Sequence, residues 1–152
     1  VIFAHIRSSF AEAFFPRLAE WAAASVLFAL GWMLMANDEL MTSGPARGYH
    51  LLLEIASQQT WSLVMIVFGL VRLMILLING AWRRSPHGRA VTAFLCCFFW
   101  TQIVLSFAPT FGFAFVMACG WLGADVINVM RAMRDARTVD EAYARGRAGG
   151  IE

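Results

Sequence analysis

Two residues of this 152-residue chain carry a charge where their neighbours carry none. Arg72 lies in an apolar run from Trp61 to Ile78, and Asp125 is the only acidic residue well inside another such run, FGFAFVMACGWLGADVINVM. A charge in a membrane interior costs several kcal/mol even on lenient insertion scales, so it needs a partner or a route to water. Three kinds of chemistry fit these residue types. Arg72 and Asp125 could form a static ion pair, kept for specificity rather than stability. Arg72 could instead snorkel on its long stem to the inner headgroups. Or the two could line an ion or proton path together with Asn79 and Asn128. The pair is the preferred reading. Arg72 is about eight residues from the inner flank of its run near Gly80 and Asp125 about six from its own near Arg131, a depth difference of ~3 Å in helices rising ~1.5 Å per residue.

No other grouping reads as a reactive site. His5, His50 and His87 fall in three separate flanking regions, on opposite sides of a membrane in the topology below. Cys96, Cys97 and Cys119 sit in apolar runs without CxxC or Cys/His spacing and read as buried thiols. There is no Gly-rich phosphate loop, no Ser/His/Asp grouping and no carboxylate pair facing a cleft. The expectation is therefore a protein with no catalytic residues, no metal and no cofactor. Arg83, Arg84 and Arg89 form a basic cluster that could attract anionic lipid headgroups at about 1 kcal/mol each, or act only as a topology determinant.

The elements that must position these residues follow from composition. Apolar residues make up 60% of the chain and charged ones 14%, against roughly a quarter charged in soluble domains, and the mean hydropathy is +0.65. A helix needs about 20 mostly apolar residues to cross a bilayer. Four stretches come close: 18–36, 61–79, 90–108 and 110–131. The expected fold is all-α, an integral membrane bundle of four transmembrane helices. The last two stretches meet at Ala108, Pro109 and Thr110, which predicts a tight hairpin between helices three and four, with Pro109 opening the fourth. Ile2, Phe3, Ile6, Phe10 and Phe14 recur at helical spacing among polar residues, the pattern of an amphipathic N-terminal interfacial helix ending at Pro16. It could equally be a bent extension of the first span. Thr138 and Glu141 have capping-box spacing, which predicts a separate short helix ending near Gly146. The expected organisation is an interfacial segment 1–17, a transmembrane domain 18–134 and a polar cytoplasmic tail 135–152.

All 12 basic residues are arginine, and their distribution orients the bundle, because short Arg-rich loops stay cytoplasmic. Arg7 and Arg17 precede the first span, Arg83, Arg84 and Arg89 follow the second, and Arg131, Arg134, Arg137, Arg145 and Arg147 lie at the far end. The first loop has only Arg47 against Asp38, Glu39 and Glu54. The predicted localisation is the cytoplasmic membrane with both termini inside. A net charge of +2 without a basic stripe excludes nucleic acid as a partner. Trp21, Trp32, Trp61 and Trp82 fall near span ends, as headgroup-level indoles do, whereas Trp100 and Trp121 are deeper and read as packing residues. On the fourth span Gly112, Val116, Gly120, Ala124 and Asn128 follow an i+4 ridge, of which Gly112, Gly120 and Ala124 make a candidate helix-packing seam. No internal repeat is visible, which weighs against an inverted-repeat transporter.

The run EIASQQTW, then GLVRLMILLINGAWRRSPHGRA, FLCCFFWTQIVLSFAPT and GWLGADVINVMRAMRD, covering residues 49–134, resembles small polytopic membrane proteins of tailed bacteriophages and prophages. The likeness lies in helix order, the Arg-rich inner loop and the tight third turn. The resemblance makes a lysis role the sharpest hypothesis, while the preferred reading is a non-enzymatic accessory of the inner membrane whose partners are the lipid bilayer, another membrane or phage protein, or further copies of itself. The alternatives are a holin-like protein that self-associates into lesions, and a small channel or transporter using Arg72 and Asp125. Reporter fusions placed after Leu40 and Pro109 should read outside, and those after Arg84 and Arg137 inside; a cytoplasmic signal after Leu40 overturns four spans.

Overall fold

The computed structural model of the protein describes residues 17–42, 47–81 and 86–148. Residues 1–16, where the interfacial helix is expected, lie outside the described residues, as do Trp82, Arg83 and Arg84. Among the described residues every regular element is helical. Helix α1 spans Leu18–Ala36, α2 His50–Ile55, α3 Gln58–Ala81, α4 Pro86–Phe107 and α5 Phe113–Ala148. Helices α1, α3, α4 and α5 are each long and apolar enough to cross a membrane.

Local chemistry explains most boundaries. α1 is rich in Ala, Leu and Met, all strong helix formers, and stops where Asn37 turns extended. The hydroxyl of Ser57 accepts the amide N–H of Thr60 at 3.3 Å, capping the first turn of α3. Pro86 opens α4, where a missing N–H breaks no helical bond. Pro109, expected to open the fourth span, sits instead in a 3-10 turn, Ala108–Thr110. Phe111 follows in the left-handed region at φ 44°, a conformation that costs a bulky residue about 1–3 kcal/mol, and α5 begins only at Phe113.

The far end departs from expectation more strongly. α5 is one uninterrupted helix of 36 residues, ~54 Å long at ~1.5 Å per residue. It passes through the predicted boundary at 134/135 without a break. Thr138 does not cap a new helix; its hydroxyl donates back to the Arg134 carbonyl at 3.0 Å. Ala132 and Ala136 are buried, so packing against the bundle carries the helix past the end of its apolar sequence.

The four long helices pack as two intimate pairs, α1 with α3 and α4 with α5, and contacts between the pairs are sparser. Glycine makes the first pair possible. A Cβ on Gly31 would lie 2.7 Å from the backbone nitrogen of Ile66, and one on Gly69 2.7 Å from that of Phe28. Polar side chains of α3 finish the join. Ser62 donates to the Gly31 carbonyl at 3.0 Å. Gln58 donates to the carbonyls of Leu34 (2.8 Å) and Asn37 (2.5 Å) and accepts the Met41 N–H at 2.8 Å. One amide thereby satisfies backbone groups left unpaired at the C-terminal end of α1. Trp61, placed by its sequence position at the headgroup level, is buried and donates to the Leu52 carbonyl at 2.7 Å, which ties α2 to α3. Trp32 does lie exposed. Between the pairs a core of Leu27, Met65, Cys96, Phe99 and Trp100 closes the centre.

The small-residue seam is therefore elsewhere than expected. A Cβ on Gly120 or Gly123 meets nothing within 4 Å, Val116 is exposed, and Gly112 and Ala124 are half-buried. α5 turns its Ala118, Asp125, Asn128, Ala132 and Ala136 edge inward and carries Gly120 outward. Gly69→Ala should lower detergent-solubilised stability by about 1–3 kcal/mol through overpacking, whereas Gly120→Ala should raise it by up to about 1 kcal/mol through helix propensity. Thermal unfolding of the two variants side by side checks this; equal effects would refute the assignment of the seam.

Candidate functional site

The structure brings Arg72 and Asp125 together. α3 delivers Arg72 from the face that also carries Gln58, Ser62 and Gly69, all buried, and α5 delivers Asp125 from its inward edge. The guanidinium meets the carboxylate side by side, Nη1 to Oδ2 at 2.8 Å and Nη2 to Oδ1 at 2.5 Å. Two more donors complete the site. The Trp100 indole N–H from α4 reaches Oδ2 at 3.0 Å, and Asn128 Nδ2, one turn further along α5, reaches Oδ1 at 3.0 Å. Each carboxylate oxygen thus accepts two hydrogen bonds, which fills the capacity of an ionised carboxylate. Arg72 is 2% exposed and Asp125 0%.

This geometry favours a fixed joint over a conduit. A charge that binds and releases protons or ions needs an unfilled coordination position, and the Asp125 carboxylate has none to offer. The planar fork of arginine suits such a two-point contact, where lysine would make only one. The snorkelling alternative also fails, since the guanidinium points to a partner inside the bundle. Asn128 Oδ1 is the exception to full satisfaction, buried and accepting no hydrogen bond. The side chain of Asn79, the other amide of the path reading, lies outside the described residues.

A second buried ion pair was not anticipated from sequence. Arg89, near the start of α4, donates through Nε to Glu20 Oε2 at 2.9 Å and through Nη2 to Glu20 Oε1. Its Nη1 reaches Asp135 on α5 at 2.9 Å. Glu20 and Arg89 are almost fully buried, while Asp135 is half-exposed. This corrects the reading of Arg89 as a headgroup contact: all three guanidinium nitrogens are committed to carboxylates within the protein. Glu20 is only two residues inside α1 and Arg89 three inside α4, so both pass in the sequence for ordinary interfacial charges. The one available signal was an acidic and a basic residue near span ends expected on the same side.

The remaining polar candidates stay apart. His87 pairs with Asp140 at 3.3 Å and His50 with Glu54 at 3.2 Å, all four exposed. Among the described residues no group of three or more His, Cys, Asp or Glu could hold a metal. Trp100 and Trp121 do pack together, stacked at 6.1 Å with 21° between their planes.

No family model, curated protein or solved structure matches the chain.

Removing one partner of a buried pair leaves an uncompensated charge and typically costs about 3–5 kcal/mol, whereas replacing both with apolar residues is often neutral. Asp125→Asn should accordingly lose most of the folded protein recovered in detergent, and Arg72→Leu combined with Asp125→Leu should recover most of it. Additive losses in the double variant would show that the pair is not the coupling unit.

Proposed function

We propose that the protein is a small non-enzymatic integral membrane protein of a bacterial cytoplasmic membrane, encoded by a phage or prophage. In this reading it acts as an accessory that binds other membrane proteins. The observation that carries the membrane assignment is the distribution of polarity. Within the apolar stretches of the four long helices the charged residues Glu20, Arg72, Arg89 and Asp125 are buried and paired, while large apolar residues face outward on every one of these helices, with Trp32 at 61%, Val67 at 46%, Phe94 at 67% and Val116 at 62% exposure. A soluble monomer rarely exposes contiguous apolar surface beyond a few hundred Å², and hydrocarbon is the solvent that suits the reverse arrangement.

Finer features rest on further support. The arginine distribution supports cytoplasmic termini. Contacts from Trp100 to Trp121, Arg89 to Asp135 and His87 to Asp140 run in opposite chain directions, which supports the third and fourth spans as an antiparallel hairpin. The filled carboxylate of Asp125 supports a scaffold over a channel. The phage origin rests on the resemblance of residues 49–134 to small phage membrane proteins. A self-associating, holin-like role is the second reading, favoured by the outward face of α5 where Gly120 and Gly123 meet no neighbour.

Inducible expression in a bacterial host, with membrane potential followed by dye and culture density over time, separates the two. An accessory protein should accumulate while the cells keep their potential. An abrupt collapse after a delay would put lesion formation in its place.

A further inference from the structure

The two helix pairs do not close on each other along their whole length. Beyond the Arg72–Asp125 pair, toward the C-terminal end of α1, a half-open cavity of about 280 Å³ lies between α1 and α5, walled by Val26 and Leu30 on one side and Ala118 and Trp121 on the other, over a floor of Met65 and Trp100. Its mouth is the protein's apolar outer surface: Met33, Phe113 and Met117 line the cavity and are also exposed. Whatever enters from there arrives through hydrocarbon.

The lining restricts what that can be. Of its backbone groups, the Leu34 carbonyl and Met41 N–H are engaged by Gln58 and the Leu52 carbonyl by Trp61. The Trp100 N–H is held by Asp125. Trp121 and Tyr49 are the other lining residues with polar side-chain atoms. Tyr49 lies in the 3-10 turn beyond the helix ends, and burial pushes its phenol above the usual value, so it remains a protonated donor. A headgroup or ringed polar ligand would lose its hydrogen bonds along the walls, whereas a hydrocarbon chain has none to lose. Size points the same way. From Val26 to Leu34 the wall of α1 is ~12 Å long, room for a chain laid along it, whereas a cavity of about 280 Å³ does not take a helix ~10–12 Å wide.

We propose that this cavity holds one acyl chain of a membrane phospholipid, which enters sideways between α1 and α5 with its ester end toward Tyr49. The proposal rests on the membrane reading above. It makes the cavity a lipid site inside the bundle, distinct from the layer of lipid around it.

The full chain, expressed in a bacterial host, should first be fractionated and then extracted in mild detergent for native mass spectrometry. Ala118→Leu and Ala114→Phe each fill the cavity from α5, and Val116→Leu adds similar bulk on the exposed face outside it. The wild type and Val116→Leu should each retain one phospholipid, and both filled variants should lose it while keeping a cooperative thermal transition. A chain recovered in the soluble fraction would overturn the membrane reading and the site together. A membrane-embedded chain would overturn the site alone if it retains no phospholipid, if the filled variants retain as much as Val116→Leu, or if the retained mass is a ringed lipid such as a quinone.

Discussion

The contact between Arg72 and Asp125 constrains the arrangement of this bundle more than any apolar contact does. In the membrane proposed above, lipid tails are as apolar as leucine, so the burial of one helix against another gains little and directional interactions must specify partners. A bidentate guanidinium–carboxylate contact is highly directional. It fixes the rotation of α5 about its own axis, because Asp125 must face α3, and it fixes the relative height of the two helices. Trp100 and Asn128 follow, as the donors that the other carboxylate lone pairs require. The outward position of Gly120 and Gly123 is the same rotation seen from the other side.

Polar joints recur at each level of the molecule. At one end Arg89 holds Glu20 of α1 and Asp135 of α5; in the middle Arg72 holds Asp125; at the other end Gln58 holds the last turn of α1. Arg72 and Arg89 each link one helix pair to the other, whereas Gln58 and Ser62 act within a pair. Toward the C-terminal end of α1, the gap between α1 and α5 has no such polar joint among the described residues, and that is where the cavity lies. Sparse packing between the pairs is thus offset by charge pairing over part of the length and left open over the rest. Buried ion pairs confer position more than stability, which suits a bundle whose apolar surfaces would otherwise tolerate many rotations.

The sequence exposed Arg72 and Asp125 because nothing around them shares their polarity, and the constant helical rise allowed their depths to be compared. Glu20 and Arg89 were hidden by the same logic, since a charge within a few residues of a span end already has an ordinary explanation in the headgroup region. The glycines misled for a different reason. Spacing by four shows that Gly112, Gly120 and Ala124 can share a face, but a face is not a partner; the close approach belongs to Gly31 and Gly69, whose opposing backbones are visible only in three dimensions. The capping-box spacing at Thr138 and Glu141 failed because tertiary burial of Ala132 and Ala136 sustains a helix through a signal that is meaningful only where a helix starts.

By itself, then, the sequence determined that the chain is helical and has four apolar stretches of spanning length, and it singled out the two charges inside them, because composition and the 1.5 Å rise act locally along the chain. Tertiary structure alone decided which helices pair closely, how far α5 continues, where Arg89 finds its carboxylates and where the bundle stays open. Those outcomes depend on the rotation of each helix about its axis, and that rotation is set by contacts between residues far apart in the chain.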